Sequence, residues 1–142
     1  MSDLDRLVAW FEALTPQSVG EIDSHYASDA YFRDPFNEVR GVVRIRRVFE
    51  HMFEQVDEPR FEVTERIAAE GAAFLAWDFT FRFRPDGEPV TVRGATHVRF
   101  DGEGKVAYHC DYWDPAGELY EKVPVLGSLM RLARRRLSAP QN

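Results

Sequence analysis

The sequence predicts an α+β fold, on three observations. Apolar residues recur at helical spacing as far as Val56, then alternate at period two from Phe61 to Trp113, and a further helical stripe follows Pro124. Helices segregated from a run of strands joined by tight turns pack on one side of an antiparallel sheet.

The elements follow in order. Leu4, Leu7, Val8, Phe11 and Leu14 mark a first helix with Trp10 beside them, and Ser2 is placed to cap it with Asp5 as box partner. Thr15-Pro16 reads as a cap and first-turn proline for a short second helix carrying Val19, Ile22 and Tyr26. Residues 31–34 make a brief strand stopped by Pro35. After Gly41 comes the clearest helix, with Ile45, Val48, Phe49, Met52, Phe53 and Val56 on one stripe and Pro59 as its end. Residues 61–67 form the next strand. Leu75, Trp77, Phe79, Phe81 and Phe83 then give another strand an apolar face, Asp86-Gly87 turns the chain, and Val90, Val92, Gly94, Thr96, Val98 and Phe100 line a third. A glycine-rich turn at 101–104 leads to a last strand, 106–113. Val125, Leu126, Leu129, Met130, Ala133 and Leu137 stripe the closing helix, which ends in Arg134-Arg135-Arg136.

Length and composition bound the function. The 142 residues suit one domain, 1–142, with 138–142 as a loose tail. A net charge of −6 argues against nucleic acid as a partner. The single cysteine, Cys110, forbids an internal disulfide and is expected to be a packing residue. The acidic start shows no signal peptide, and no apolar run is long enough to insert into a membrane, so a cytoplasmic protein is expected. Eleven phenylalanines supply enough rings to line a pocket for a small apolar or aromatic ligand.

Tyr26-Ala27-Ser28-Asp29-Ala30, the run from Asp34-Pro35-Phe36-Asn37 to Glu38-Val39-Arg40-Gly41, the helix over 42–53, Val98-Arg99-Phe100 and Tyr112-Trp113 occur in a familiar order. In these the chain resembles the ketosteroid-isomerase-like and SnoaL-like proteins of the nuclear transport factor 2-like superfamily, over most of residues 3–114. The resemblance implies a cone-shaped, strongly bent, mostly antiparallel sheet wrapped around N-terminal helices, plus a C-terminal helix. It also implies one deep pocket and a homodimer.

The resemblance places Asp34 where steroid isomerases carry their general base. Pro35 restrains its backbone to an extended form, although an Asp-Pro pair equally serves to cap the loop that follows. It places Trp10 and Thr96 at the two oxyanion positions. An indole and an aliphatic hydroxyl are weaker donors than a phenol and a carboxylic acid, so efficient ketosteroid isomerisation is not expected. It sets Trp113 inward, and strand parity puts His109 and Asp111 on that face.

Asp34, His109 and Asp111 are therefore the candidate catalytic residues. Asp111 serves equally well as a structural ion-pair or hydrogen-bond partner of an arginine or tryptophan. Trp10, Tyr26, Phe49, Phe53, Trp77, Phe79, Phe81, Thr96 and Trp113 are the candidate ligand-binding residues. No cofactor is expected, and no metal, because His109 and Asp111 alone are too few ligands. The opposite face, with Asp78, Arg82, Arg93, His97, Arg99 and Tyr108, is expected either to pair two copies or to face solvent. The closing helix is expected to pack over the pocket mouth or a sheet edge, with a membrane-surface role as the rival. Three functions fit: a cofactor-independent acid–base enzyme of isomerase, dehydratase, cyclase or hydrolase type, a non-catalytic binder of a hydrophobic metabolite, or a dimeric interaction module.

Overall fold

The computed structural model describes residues 1–119 and 124–141. In chain order it holds α1 (Asp3–Glu12), a 3-10 helix (Ser18–Ser24), β1 (Tyr26–Arg33), β2 (Glu38–Arg40), α2 (Val42–Gln55), β3 (Asp57–Ala69), β4 (Ala72–Arg82), β5 (Val90–Phe100), β6 (Val106–Trp113), α3 (Pro115–Glu118) and α4 (Pro124–Leu137). The strands form a curved open sheet in the order β2-β1-β6-β5-β4-β3. The α+β class and the bent sheet are as expected.

Local chemistry starts the first three helices. Ser2 and Asp5 close a full capping box, and the hydrogen bonds from Ser2 hold the Asp5 carboxyl below its ordinary range. Thr15 and Ser18 exchange a matching pair of bonds, each backbone N–H donating to the other's hydroxyl. Gly41, at φ 101°, occupies a conformation costly for other residues and starts α2. Helix α1 is tied to the edge strand: Glu12 accepts from the Val63 N–H at a bulge in β3, and Arg66 reaches Asp5.

The helices cover the concave face of the sheet. Leu7, Val8, Ile22, Ile45, Leu75, Val98 and Val106 are fully buried there. Trp77 and Phe81 are buried on that face, and Phe79 is half-buried. Trp77 shares the interior with Phe49 of α2, as the two periodicities predict.

Several boundaries differ from expectation. Tyr26 is not on the second helix; that helix is 3-10 and stops at Ser24, and Tyr26 opens β1. Strand β1 pairs with β6 in parallel, with a register break between Tyr26 and Tyr31. The break puts two buried residues side by side, Tyr26 and Ala27, and so erases the alternation that would mark a strand. Strand β3 begins at Asp57, and Pro59 lies inside it at a register shift of an edge strand, where a missing N–H is tolerated. Phe83 lies beyond β4 and is exposed, and so is Ile67 near the end of β3. The expected packing of the closing helix over the pocket or sheet is not found for the described part of its stripe. Leu129 and Leu137 are exposed, and α4 contacts α3, with Arg134 near Asp114. The side chains of Val125, Leu126 and Met130 lie outside the described residues.

Gly94 on β5 is required by its neighbour. It pairs directly with Trp77, two of whose ring carbons lie 2.5 and 2.6 Å from where a Cβ would stand. A Gly94→Ala change therefore displaces the indole and is expected to cost about 1–3 kcal/mol. Urea unfolding followed by tryptophan fluorescence checks this: the midpoint should fall and the native emission should shift.

Candidate functional site

Cross-strand register assembles the polar interior. His109 and Asp111 lie two apart on the inward face of β6. Thr96 of β5 stands directly opposite Asp111. Trp77 of β4 stands opposite Gly94, one diagonal step from Thr96. Tyr26, swung inward by the break in β1, comes in from the other flank of β6.

The result is one continuous network. The Trp77 indole N–H donates to Thr96 Oγ1 at 2.7 Å, and the Thr96 hydroxyl donates to Asp111 Oδ1 at 2.6 Å. His109 Nε2 lies 2.7 Å from the same Asp111 oxygen, and His109 Nδ1 lies 2.7 Å from the Tyr26 hydroxyl. Tyr26, Thr96 and His109 are buried, at 1%, 3% and 3% exposure, while the Asp111 side chain keeps 20%. Burial, and then the Asp111 charge, push the Tyr26 phenol well above its ordinary range.

Asp111 stands between two spaces. Inside is a cavity of about 30 Å³ walled by Phe11, Phe49, Phe61, Val63 and Trp77, with Thr96, His109 and Asp111 as its polar part. That volume holds roughly one water molecule. Outside is an open groove of about 920 Å³ along β1 and β6, lined by Tyr31, Arg33, Asp34, Arg40, Tyr108, Cys110, Tyr112 and Trp113, and again by Asp111.

The other expected site residues fall in different places. Asp34 lines the groove with Asp111 but not the inner cavity that His109 lines. Its Oδ1 accepts from the backbone N–H groups of Phe36 and Asn37, and the Asn37 amide donates to both of its oxygens, so the carboxylate caps the 34–37 turn. The Trp10 indole donates to the Ser18 carbonyl at 3.0 Å and so offers no donor to a ligand. Its ring packs on His25, Tyr26 and Phe49. Trp113 lines the groove and meets the Phe36 ring edge-on. Phe79 stacks on Phe61, Phe53 packs against the core, and Phe81 is buried; none of the three lines the inner cavity. Among the described residues, no group of three or more histidine, cysteine, aspartate or glutamate side chains is placed to hold a metal.

Two pairings escaped sequence reasoning. Strand alternation puts Trp77 and Thr96 on one face, but the diagonal contact needs the β4–β5 register. No local signal marks the approach of Tyr26 to His109, because the bulge in β1 creates it.

The match to the SnoaL-like domain covers residues 7–109, and the chain belongs to that family. No curated protein sequence matches it. Solved structures share the fold. One is a protein with a ketosteroid isomerase-like fold from Catenulispora acidiphila, crystallised with trimethylamine: 17% identical, TM-score 0.69, spanning 82% of this chain and 88% of its own. A Shewanella putrefaciens protein named as a SnoaL-like polyketide cyclase is 19% identical, with TM-score 0.66 over 79% of each chain. AclR of Streptomyces galilaeus, named as a hydroxylase, is 21% identical, with TM-score 0.67 over 89% of this chain and 93% of its own. At such identities the likeness is one of fold.

The raised Tyr26 phenol makes stability depend on pH. The folded state holds this proton above the pH at which the unfolded chain releases it. The stabilisation is therefore complete below about pH 10 and is lost as pH rises further. The stability difference between wild type and Tyr26→Phe should accordingly shrink above pH 10. Urea unfolding of both proteins at pH 8 and pH 11 measures it.

Proposed function

We propose that this protein binds a small apolar or aromatic molecule against Asp111 and acts on it by cofactor-independent acid–base chemistry. One observation carries this reading: two hydrogen-bond arms, from Trp77 and from Tyr26, converge on a single carboxylate at the boundary between an aromatic interior and an open groove. A carboxylate held this way is oriented before a ligand arrives, which is what proton transfer needs. Asp34, on the same groove, is a second acid–base group in this reading, once ligand contact draws its side chain out of the turn.

The interior as it stands admits one water, so the groove is the entry, and a ligand reaches the aromatic wall by moving rings aside. The family supports an acid–base chemistry of cyclase, isomerase, dehydratase or hydrolase type without choosing among them. Trp10 and Thr96 have their donors committed, which supports the expectation of little steroid isomerisation.

Nuclear magnetic resonance with a panel of small aromatic and alicyclic ketones tests the reading. Shifts are expected at Phe49, Phe61, Trp77, Asp111 and Trp113, with binding weakened on the order of tenfold in Asp111→Asn. Silence at all five positions at millimolar concentration would overturn it.

The filled interior favours a second reading, a dimeric interaction module. Across the outer face Phe74 stacks on His97, His97 meets Tyr108, and Tyr108 stacks on Tyr31, a row of rings at the surface. In this second reading we propose a homodimer through this face, which covers the groove and buries Phe74, 48% exposed in the single chain. Sedimentation should then show a dimer at micromolar concentration and a monomer for His97→Glu.

A further inference from the structure

His109 sits between two oxygens, Asp111 Oδ1 on Nε2 and the Tyr26 hydroxyl on Nδ1, each at 2.7 Å. An ionised carboxylate can only accept, so the imidazole directs an N–H from Nε2 to Asp111. In a neutral ring Nδ1 is then an acceptor, and among the described residues the Tyr26 hydroxyl is the donor placed to serve it. Burial and the Asp111 charge keep Tyr26 protonated and able to donate. The second arm has the same sense, with Trp77 donating to Thr96 and Thr96 to Asp111 Oδ1. Both arms end on one oxygen. Among the described residues no hydrogen bond reaches the other, Oδ2.

We propose that Tyr26 is a positioning residue for Asp111: acting through His109, it holds the imidazole as the Nε2–H tautomer, so that Oδ1 is filled by two donors and Oδ2 is the atom presented to a ligand. This rests on the reading of Asp111 as the ligand-facing group. It divides the labour among residues that sequence parity had grouped. Asp111 exchanges protons with the ligand. His109, with both nitrogens engaged and 3% exposure, aims the carboxylate and exchanges no proton with the ligand. Tyr26, at 1% exposure, aims His109. Donation into Nδ1 also polarises the ring and strengthens its Nε2–H bond to Asp111, as linked hydrogen bonds do.

Imidazole nitrogen NMR on the ligand-free, uniformly ¹⁵N-labelled protein at neutral pH tests this, with His109 assigned by its absence in His109→Asn. Wild type should show one neutral Nε2–H tautomer with slow exchange of that proton. In Tyr26→Phe the Nδ1 resonance should move toward that of an unbonded nitrogen and the Nε2 proton should exchange on the order of tenfold faster. Thr96→Val, which leaves the Tyr26 arm intact, should keep the wild-type tautomer. An Nδ1–H tautomer or a doubly protonated ring in wild type would overturn the proposal. So would a His109 spectrum indifferent to Tyr26→Phe, or a change of tautomer in Thr96→Val. If Tyr26→Phe does not fold, the wild-type tautomer and Thr96→Val still decide. No ligand enters the experiment, so failure to bind the ketone panel would remove the functional reading alone, while a wrong tautomer would remove the positioning role alone.

Discussion

A buried imidazole and a partly buried carboxylate on one face of β6 constrain the whole interior. Placing either group in an apolar core without partners costs several kcal/mol. Partners must therefore come from the flanking strands, Tyr26 from β1 and Thr96 from β5, with Trp77 of β4 behind Thr96. A slip of one residue in any of these strands turns its donor to the other face and strands a polar group. The network thus binds four strands to a single register, and it includes the parallel pairing of β1 with β6, which has no hairpin to hold it.

Around this polar line the packing is aromatic. Phe11 and Phe32 pack on the His109 ring, and Phe61 meets Trp77 edge-on. The rings lower the polarity around the buried part of the relay, which makes its hydrogen bonds stronger and each omission more costly. Gly94 is part of the same arrangement, since its missing side chain is the space in which the Trp77 indole lies. The outer face of the sheet is built differently. Its row of stacked rings is flanked by arginines, with Arg40 lying over Tyr31.

The fold is shared with proteins that carry quite different names, so the architecture does not select a reaction. Local commitments of hydrogen bonds narrow the choice. Trp10 gives its N–H to Ser18, and Thr96 gives its hydroxyl to Asp111. The two positions that the isomerase resemblance assigns to oxyanion donors are therefore used up inside the protein. Asp34 is likewise engaged by its own turn, an outcome the Asp-Pro pair allowed from the start. Asp111 remains the carboxylate with an oxygen to spare.

Periodicity and turn chemistry alone determined the α+β class, α1 and α2, the strands from β4 to β6, the inward face of Trp77 and the common face of His109 and Asp111. Each is a repeat of 3.6 or 2 residues, or a local cap, and such signals are complete within a short segment. The start of β1, its parallel pairing and the whole of β2 were not legible, because a bulge broke the alternation and β2 has three residues. For the same reason Tyr26 read as helical. Nor could the sequence say that Asp34 and Asp111 share a groove while His109 faces a cavity, or that Tyr26 meets His109 across 83 positions of chain. Those contacts are set by which strands become neighbours and in what register. Only the folded sheet decided that, by turning two polar side chains of β6 inward where just one alignment of their neighbours satisfies them.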